Sequence, residues 1–295
     1  MAVASVSRSI VKKVLAVETP EGAGALVRRS IGSMTLRNLS PFLMLGEYIP
    51  FLSSKYHLGD SQGFPDHPHR GQATVTYMLE GTSRHEDSAG HKGTIETGGV
   101  QWMCAGKGII HAEMPVHEEG LPDPKGMQLW IDLPKEHKMV DPSYQELGPN
   151  EIPSAYPEGP EGPVKIKVIS GKSHGVESPV RHLGGCWYFH LSFSKKGTTV
   201  FQDIPEGWTA FIYIWKGSVI VGNDSLPAES FHTLVLSANE GETGVKMISG
   251  DDDTHFILVA GEPLNQTIQK TLMDYQMGKN GFEKAHSWQS EIGKQ

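Results

Sequence analysis

The chain has 295 residues, a hydrophobic fraction of 38% and a formal charge of −8, the composition of a globular protein long enough for one large domain or two of ordinary size. The acidic balance leaves no basic footprint for nucleic acid, so action near DNA is expected to run through another protein. No apolar run is long enough to span a bilayer, and the only cysteines, Cys104 and Cys186, imply no disulfide framework.

At the N-terminus, Arg8, Lys12, Lys13 and Glu18 interrupt the apolar residues, so no signal-peptide core is read there. With the cysteine usage, this predicts an intracellular, reducing compartment. Ile10 to Val17 and Ala25 to Ile31 read as strands around Pro20-Glu-Gly-Ala-Gly24. Gly22 and Gly24 are assigned to a hairpin turn, because no strand–loop–helix context supports a nucleotide loop. Phe42 to Leu45 opens a further strand.

The stretch from Phe64 to Pro115 carries the chemistry. It begins with His67-Pro-His69-Arg-Gly71 and ends with Gly106-Lys-Gly108-Ile-Ile-His111-Ala-Glu113-Met-Pro. Side chains two residues apart point to the same side of an extended strand. His67 with His69, and His111 with Glu113, therefore bring three imidazoles and one carboxylate to one point if the two strands lie side by side. Pro68 favours extended geometry before it and, lacking an N–H, places its strand at an edge or a bulge. Imidazole suits zinc, copper, iron and nickel, and no paired cysteine ligand supports a thiolate site. Four ligands close a tetrahedral zinc site or leave two positions open on an octahedral iron, and the ligand set alone leaves both readings standing.

Between these motifs, Ala73 to Leu79 alternates and Gly81 turns the chain. His85-Glu86-Asp87 and His91 are assigned to a solvated hairpin leading to Thr94-Ile95-Glu96. Val100 to Met103 and Gln128 to Asp132 read as strands. A proline- and glycine-rich crossing from Pro142 to Pro163 leads to strands at Val164–Ser170, Cys186–Phe193, Thr209–Trp215, Ser218–Gly222, Phe231–Leu236 and His255–Ala260. Short strands at this spacing predict a sandwich or barrel. Tyr77-Met-Leu-Glu-Gly81 echoes Tyr213-Ile-Trp-Lys-Gly217. In a duplicated barrel, Asp203 and Pro205 take the places of His67 and His69, so the second copy carries no metal of this kind. His190, His232 and His255 are read as packing or surface residues. Only the tail from about Lys270 to Ser290 has helical composition.

His67-Pro-His-Arg-Gly, Val75-Thr-Tyr-Met-Leu-Glu-Gly, His85-Glu-Asp-Ser, Gln101-Trp-Met, Ala105-Gly-Lys-Gly and His111-Ala-Glu-Met-Pro together resemble the pirin family of the cupin superfamily, its plant members included. Val27-Arg-Arg-Ser-Ile-Gly32, Pro41-Phe-Leu-Met-Leu45 and Asp274-Tyr-Gln-Met-Gly278 extend the resemblance over nearly the whole chain. It implies an all-β bicupin: two stacked antiparallel jelly-roll barrels and a short closing helix. The expected domains are a metal-binding barrel over 1–140, a linker over 141–163 and a metal-free barrel with the helix over 164–295. The resemblance further implies one iron, Fe(2+) with other divalent metals as substitutes, held by His67, His69, His111 and Glu113. Pirins commonly have Phe-Glu where this chain has Gln72-Ala73, a change that predicts the loss of a group beside the ligands. Gly99 stands where an Asp is usual, and the chain looks shortened after Gly261-Glu-Pro-Leu-Asn265.

Two functions follow from the resemblance. One is a flavonol (quercetin) 2,4-dioxygenase, with Glu113 as the catalytic proton acceptor, a flavonol-like substrate, and Lys107 and Gln101 near the mouth. The other is an iron-dependent regulatory partner of a transcription coregulator or a G-protein α subunit. A monomer in the cytoplasm or nucleus is the accompanying expectation.

Overall fold

The computed structural model describes residues 5–23, 25–49, 63–116 and 123–268. The expected closing helix lies outside them. Among the described residues the elements are β-strands and a single 3-10 turn, Lys135–His137, so the chain is all-β. It divides into two compact units. One comprises the described parts of Glu18–Arg29, Leu45–Pro149 and Asn265–Gln295; the other comprises those of Met1–Val17, Ser30–Met44 and Asn150–Leu264.

Strand alternation builds the core of the second unit. Val164, Ile166 and Val168 turn inward while Lys165 and Lys167 face away, and on the neighbouring strand Phe189, Leu191 and Phe193 join the same cluster. Phe256, Leu258 and Ala260 extend it across the next ladder. Each fully buried Phe or Leu contributes roughly 1.5–3 kcal/mol of apolar transfer, and their spacing of two commits one face of every strand to this cluster.

The same strand plan occurs twice. A four-stranded sheet in the order Phe64–His69, Ile109–Val116, Thr82–Asp87, Lys92–Glu96 is matched by Thr199–Asp203, Gly244–Ser249, Ser218–Val221, Ala228–Glu229. Each is accompanied by a seven-stranded sheet, centred on Gln72–Glu80 and Lys125–Asp132 in one case and on Thr209–Lys216 and Thr254–Gly261 in the other. The Tyr77 and Tyr213 repeats fall on equivalent strands. Both tyrosines are buried, and both strands run into left-handed glycines, Gly81 at φ 70° and Gly217 at φ 75°. Val200, Val245 and Met247 of the second four-stranded sheet belong to the apolar cluster.

Several assignments sharpen or change. The Gly22 turn joins neighbouring strands, Val17–Glu21 and Ala25–Ile31, as a hairpin. Ile10–Leu15 does not pair within the N-terminal half: it lies antiparallel to His232–Leu236, with Leu15 opposite His232. The crossing between halves is not structureless. It contributes Ser143–Leu147 to one seven-stranded sheet and Ser154–Ala155 to the other. Thr199–Asp203 and Gly244–Ser249 are further strands, and both alternate: Val200 and Gln202 are buried in one, and Val245 and Met247 flank the outward Lys246 in the other.

On the face opposite the apolar cluster, His190 stacks obliquely on Trp215 at 4.8 Å and meets His255 and Ser192 at 3.2 and 3.1 Å. Burial pushes the His190 imidazole well below the usual histidine range, and His255, Lys167 and Lys165 push the same way. The unfolded chain therefore binds a proton at this position that the folded one refuses. Stability from this group is intact above the unfolded value of about 6.5 and falls as pH drops below it. Urea midpoints are expected to decrease from pH 7 to pH 5, with a shallower decrease in His190→Gln; parallel slopes would count against this assignment.

Candidate metal centre

The Phe64–His69 strand occupies the edge of its sheet, as Pro68 requires, and pairs antiparallel with Ile109–Val116. His111 lies directly opposite His67, and His69 opposite Ile109. The imidazoles of His67, His69 and His111 converge, with one ligand atom from each lying within 4.8 Å of the others. Ring centroids are 4.8 Å apart for His67–His69, 4.5 Å for His67–His111 and 4.9 Å for His69–His111.

Glu113 stands slightly apart from this triad. The register slips between His111 and Glu113, so Glu113 faces Phe64 while His111 faces His67. Its Oε2 lies 3.9 Å from His111 Nε2 and accepts a 2.8 Å hydrogen bond from Gln128 Nε2. Its Oε1 accepts another at 2.8 Å from Thr76 Oγ1. The carboxylate is thus oriented by two neutral donors, at the edge of the three-imidazole cluster.

Local turns hold both histidine strands. Gly71 N–H donates to Gly106 O at 2.8 Å, and Ala105 N–H donates to Gln72 O at 2.9 Å, which ties the turn after His69 to the turn before His111. Lys138 Nζ donates to Gly71 O at 3.0 Å and pairs with Asp132. Val140 O accepts from Lys107 N–H at 2.9 Å, and a Cβ on Gly106 would meet that oxygen at 2.1 Å. Gly106 also sits at φ 47°, so backbone conformation and close approach both demand glycine there.

The electrostatics favour neutral imidazoles with unused lone pairs. Burial, with His67 and His111 adding repulsion, holds His69 well below the usual histidine range. Burial does the same to His111, reinforced by His67 and His85 and opposed by Asp87. His69 is 2% exposed and His111 is 0% exposed, yet among the described residues His69 Nε2 and both ring nitrogens of His111 have no hydrogen-bond partner. Buried polar atoms left unpaired cost on the order of 1–3 kcal/mol each. A cation shared by facing nitrogens removes that cost, so these residues fit a divalent metal.

Two residues read as solvent-facing are inside. His85 is only 5% exposed and lies opposite Glu113, with Nε2 2.5 Å from Glu146 Oε1. A Cβ on Gly93 would meet His85 Nε2 at 2.2 Å, so a glycine makes room for this ring. Gln101, placed at the mouth by the sequence, is fully buried and donates to Glu146 Oε1 at 2.8 Å. His91 remains on the exposed hairpin, paired with Asp87 at 2.9 Å, and Lys107 pairs with Asp141 at 2.5 Å. Gln72, taken to mark a lost group, contacts His69 Nδ1 at 2.6 Å. Alternation along Thr82–Asp87 puts His85 on the buried face with Ser83, while Gln72 is brought to His69 by the Gly71 turn.

Two equivalent cupin barrels, one with a histidine cluster and the other apolar, define a bicupin of the metal-binding kind. Residues 24–131 match the Pirin family and residues 188–279 the Pirin C-terminal cupin domain. The chain is 44% identical over 299 residues to a pirin-like protein of Solanum lycopersicum, covering 96% of this chain and 97% of that one. It is 42% identical over 304 residues to Pirin of Homo sapiens, covering 97% and 99%. The crystal structure of a quercetin 2,3-dioxygenase from Acinetobacter baumannii superposes with a TM-score of 0.77 at 30% identity, covering 89% of this chain and 90% of that one. The chain belongs to the pirin family.

The Gly106 geometry gives a direct check. Gly106→Ala is expected to lose about 2–4 kcal/mol of stability, from strain plus displacement of Val140. Gly90→Ala, at φ 92° with nothing within 4 Å of an added Cβ, should lose only about 1 kcal/mol. Equal losses in urea denaturation would show that the Val140 contact carries no weight.

Proposed function

We propose that this chain is an iron-dependent flavonol dioxygenase of the quercetinase type, working at the His67, His69 and His111 cluster. The observation that carries the reading is the set of buried, unpartnered imidazole nitrogens facing one another beside an oriented carboxylate. The likeness to the Acinetobacter baumannii quercetin 2,3-dioxygenase supports the choice of reaction.

His67, His69 and His111 would hold the ion, with Glu113 as the fourth ligand. When bound, ferrous iron supplies Lewis-acid and redox chemistry toward a chelating flavonol and dioxygen. His67 Nδ1 donates to Pro65 O at 2.9 Å, which reserves its Nε2 lone pair for the centre. Trp130 meets the His69 ring edge-on at 5.1 Å and restricts its rotation. Glu113 is placed to take the proton of the flavonol 3-hydroxyl, because Thr76 and Gln128 keep its carboxylate aimed while adding no charge. The neighbouring His85–Glu146 pair offers a route by which that proton leaves toward solvent, since the Glu146 side chain is 40% exposed.

Anaerobically iron-loaded protein given quercetin is expected to consume oxygen, and His69→Ala to consume none. Glu113→Gln should retain iron and lower kcat by about 10²–10⁴. Stoichiometric iron with no flavonol-dependent uptake would sink the dioxygenase reading and turn the search to protein partners.

A further inference from the structure

The strand Gln72–Glu80 begins immediately after the Gly71 turn, and its first side chain is 1% exposed. Its main chain is fixed by the Ala105 N–H bond to Gln72 O. The buried amide lies 2.6 Å from His69 Nδ1.

The two ends of that amide impose opposite tautomers on His69. With Nε2 of Gln72 toward the ring, the amide donates, Nδ1 must be the lone pair, and the ring proton sits on His69 Nε2. Among the described residues that proton then finds no acceptor, and Gln72 Oε1 is itself buried without a partner. With the amide reversed, Oε1 accepts the proton of His69 Nδ1, and His69 Nε2 presents a lone pair to the centre. Only the second arrangement is compatible with a cation on Nε2. His67 already has the matching arrangement, because a main-chain carbonyl can only accept and so fixes the proton on Nδ1.

We infer that Gln72 is a positioning residue for the metal centre: its amide oxygen fixes the His69 tautomer that ligates a divalent cation. The inference rests on the metal-centre reading above. It also assigns the centre its character, since Gln72, Thr76 and Gln128 orient His69 and Glu113 through neutral groups. A carboxylate at position 72 would make the His69 ring more electron-rich and the site more anionic, so the neutral amide sets metal affinity below the attainable maximum.

Zinc is the probe, because it is redox-silent and diamagnetic. Zinc affinity measured by chelator competition is expected to fall about 10–100-fold in Gln72→Met, which keeps length and volume but cannot accept the proton well. It should be equal or tighter in Gln72→Glu. Thermal midpoints of the metal-free proteins separate this from a packing defect: the midpoint of Gln72→Met should change far less than its affinity. In the zinc-bound protein, ¹⁵N spectra of the His69 ring should show the proton on Nδ1. Wild-type zinc affinity in Gln72→Met, or a proton on Nε2 of zinc-bound His69, would overturn the inference while leaving the centre standing. Equal zinc binding by the wild type and His69→Ala would overturn both.

Discussion

The structure turns on three imidazoles driven together, two of them, His69 and His111, buried where water cannot satisfy them. His69 and His111 are buried and held neutral, and their facing nitrogens lack partners. That cost is tolerable only because two strands, joined through the Gly71 and Gly106 turns, fix the rings from both sides. A fold that relaxed these turns would rehydrate the nitrogens and lose the site. Preorganisation here is therefore a property of backbone hydrogen bonds more than of the side chains themselves.

The duplicated architecture shows what the same backbone does without that constraint. In the second unit the equivalent four-stranded sheet points Val200, Val245 and Met247 into an apolar cluster. Its interior needs no polar compensation and contributes ordinary transfer free energy. The metal-side unit instead carries His67, His69, His111 and Glu113 on the corresponding strands, with Thr76 and Gln128 bonded to Glu113 and His85 opposite it. One strand plan thus holds an apolar interior in one copy and a histidine cluster in the other.

Much of the centre was legible because its signal is local. A spacing of two within a strand determines facing, so the convergence of His67 and His69 with His111 could be read from sequence, and the alternating Val164–Ser170 run exposed a core strand. What stayed hidden depends on register between distant strands. Glu113 is displaced from the triad by a register slip opposite Phe64. His85 turns inward with Ser83, on the face opposite its exposed neighbours Arg84 and Glu86, and pairing brings it opposite Glu113. Ile10–Leu15 pairs with residues more than two hundred positions away. The contact between Gln72 and His69 was not legible because its partner is a ring atom reached only after the glycine turn.

The central claim is that the three histidines hold one divalent metal. X-ray absorption at the metal edge of the iron-loaded protein tests it most directly. The account predicts about three imidazole nitrogens in a shell near 2.0–2.2 Å, with the outer-ring scattering of histidine, falling by one imidazole in His111→Ala. A first shell of oxygens without imidazole scattering, unchanged by that substitution, would contradict it.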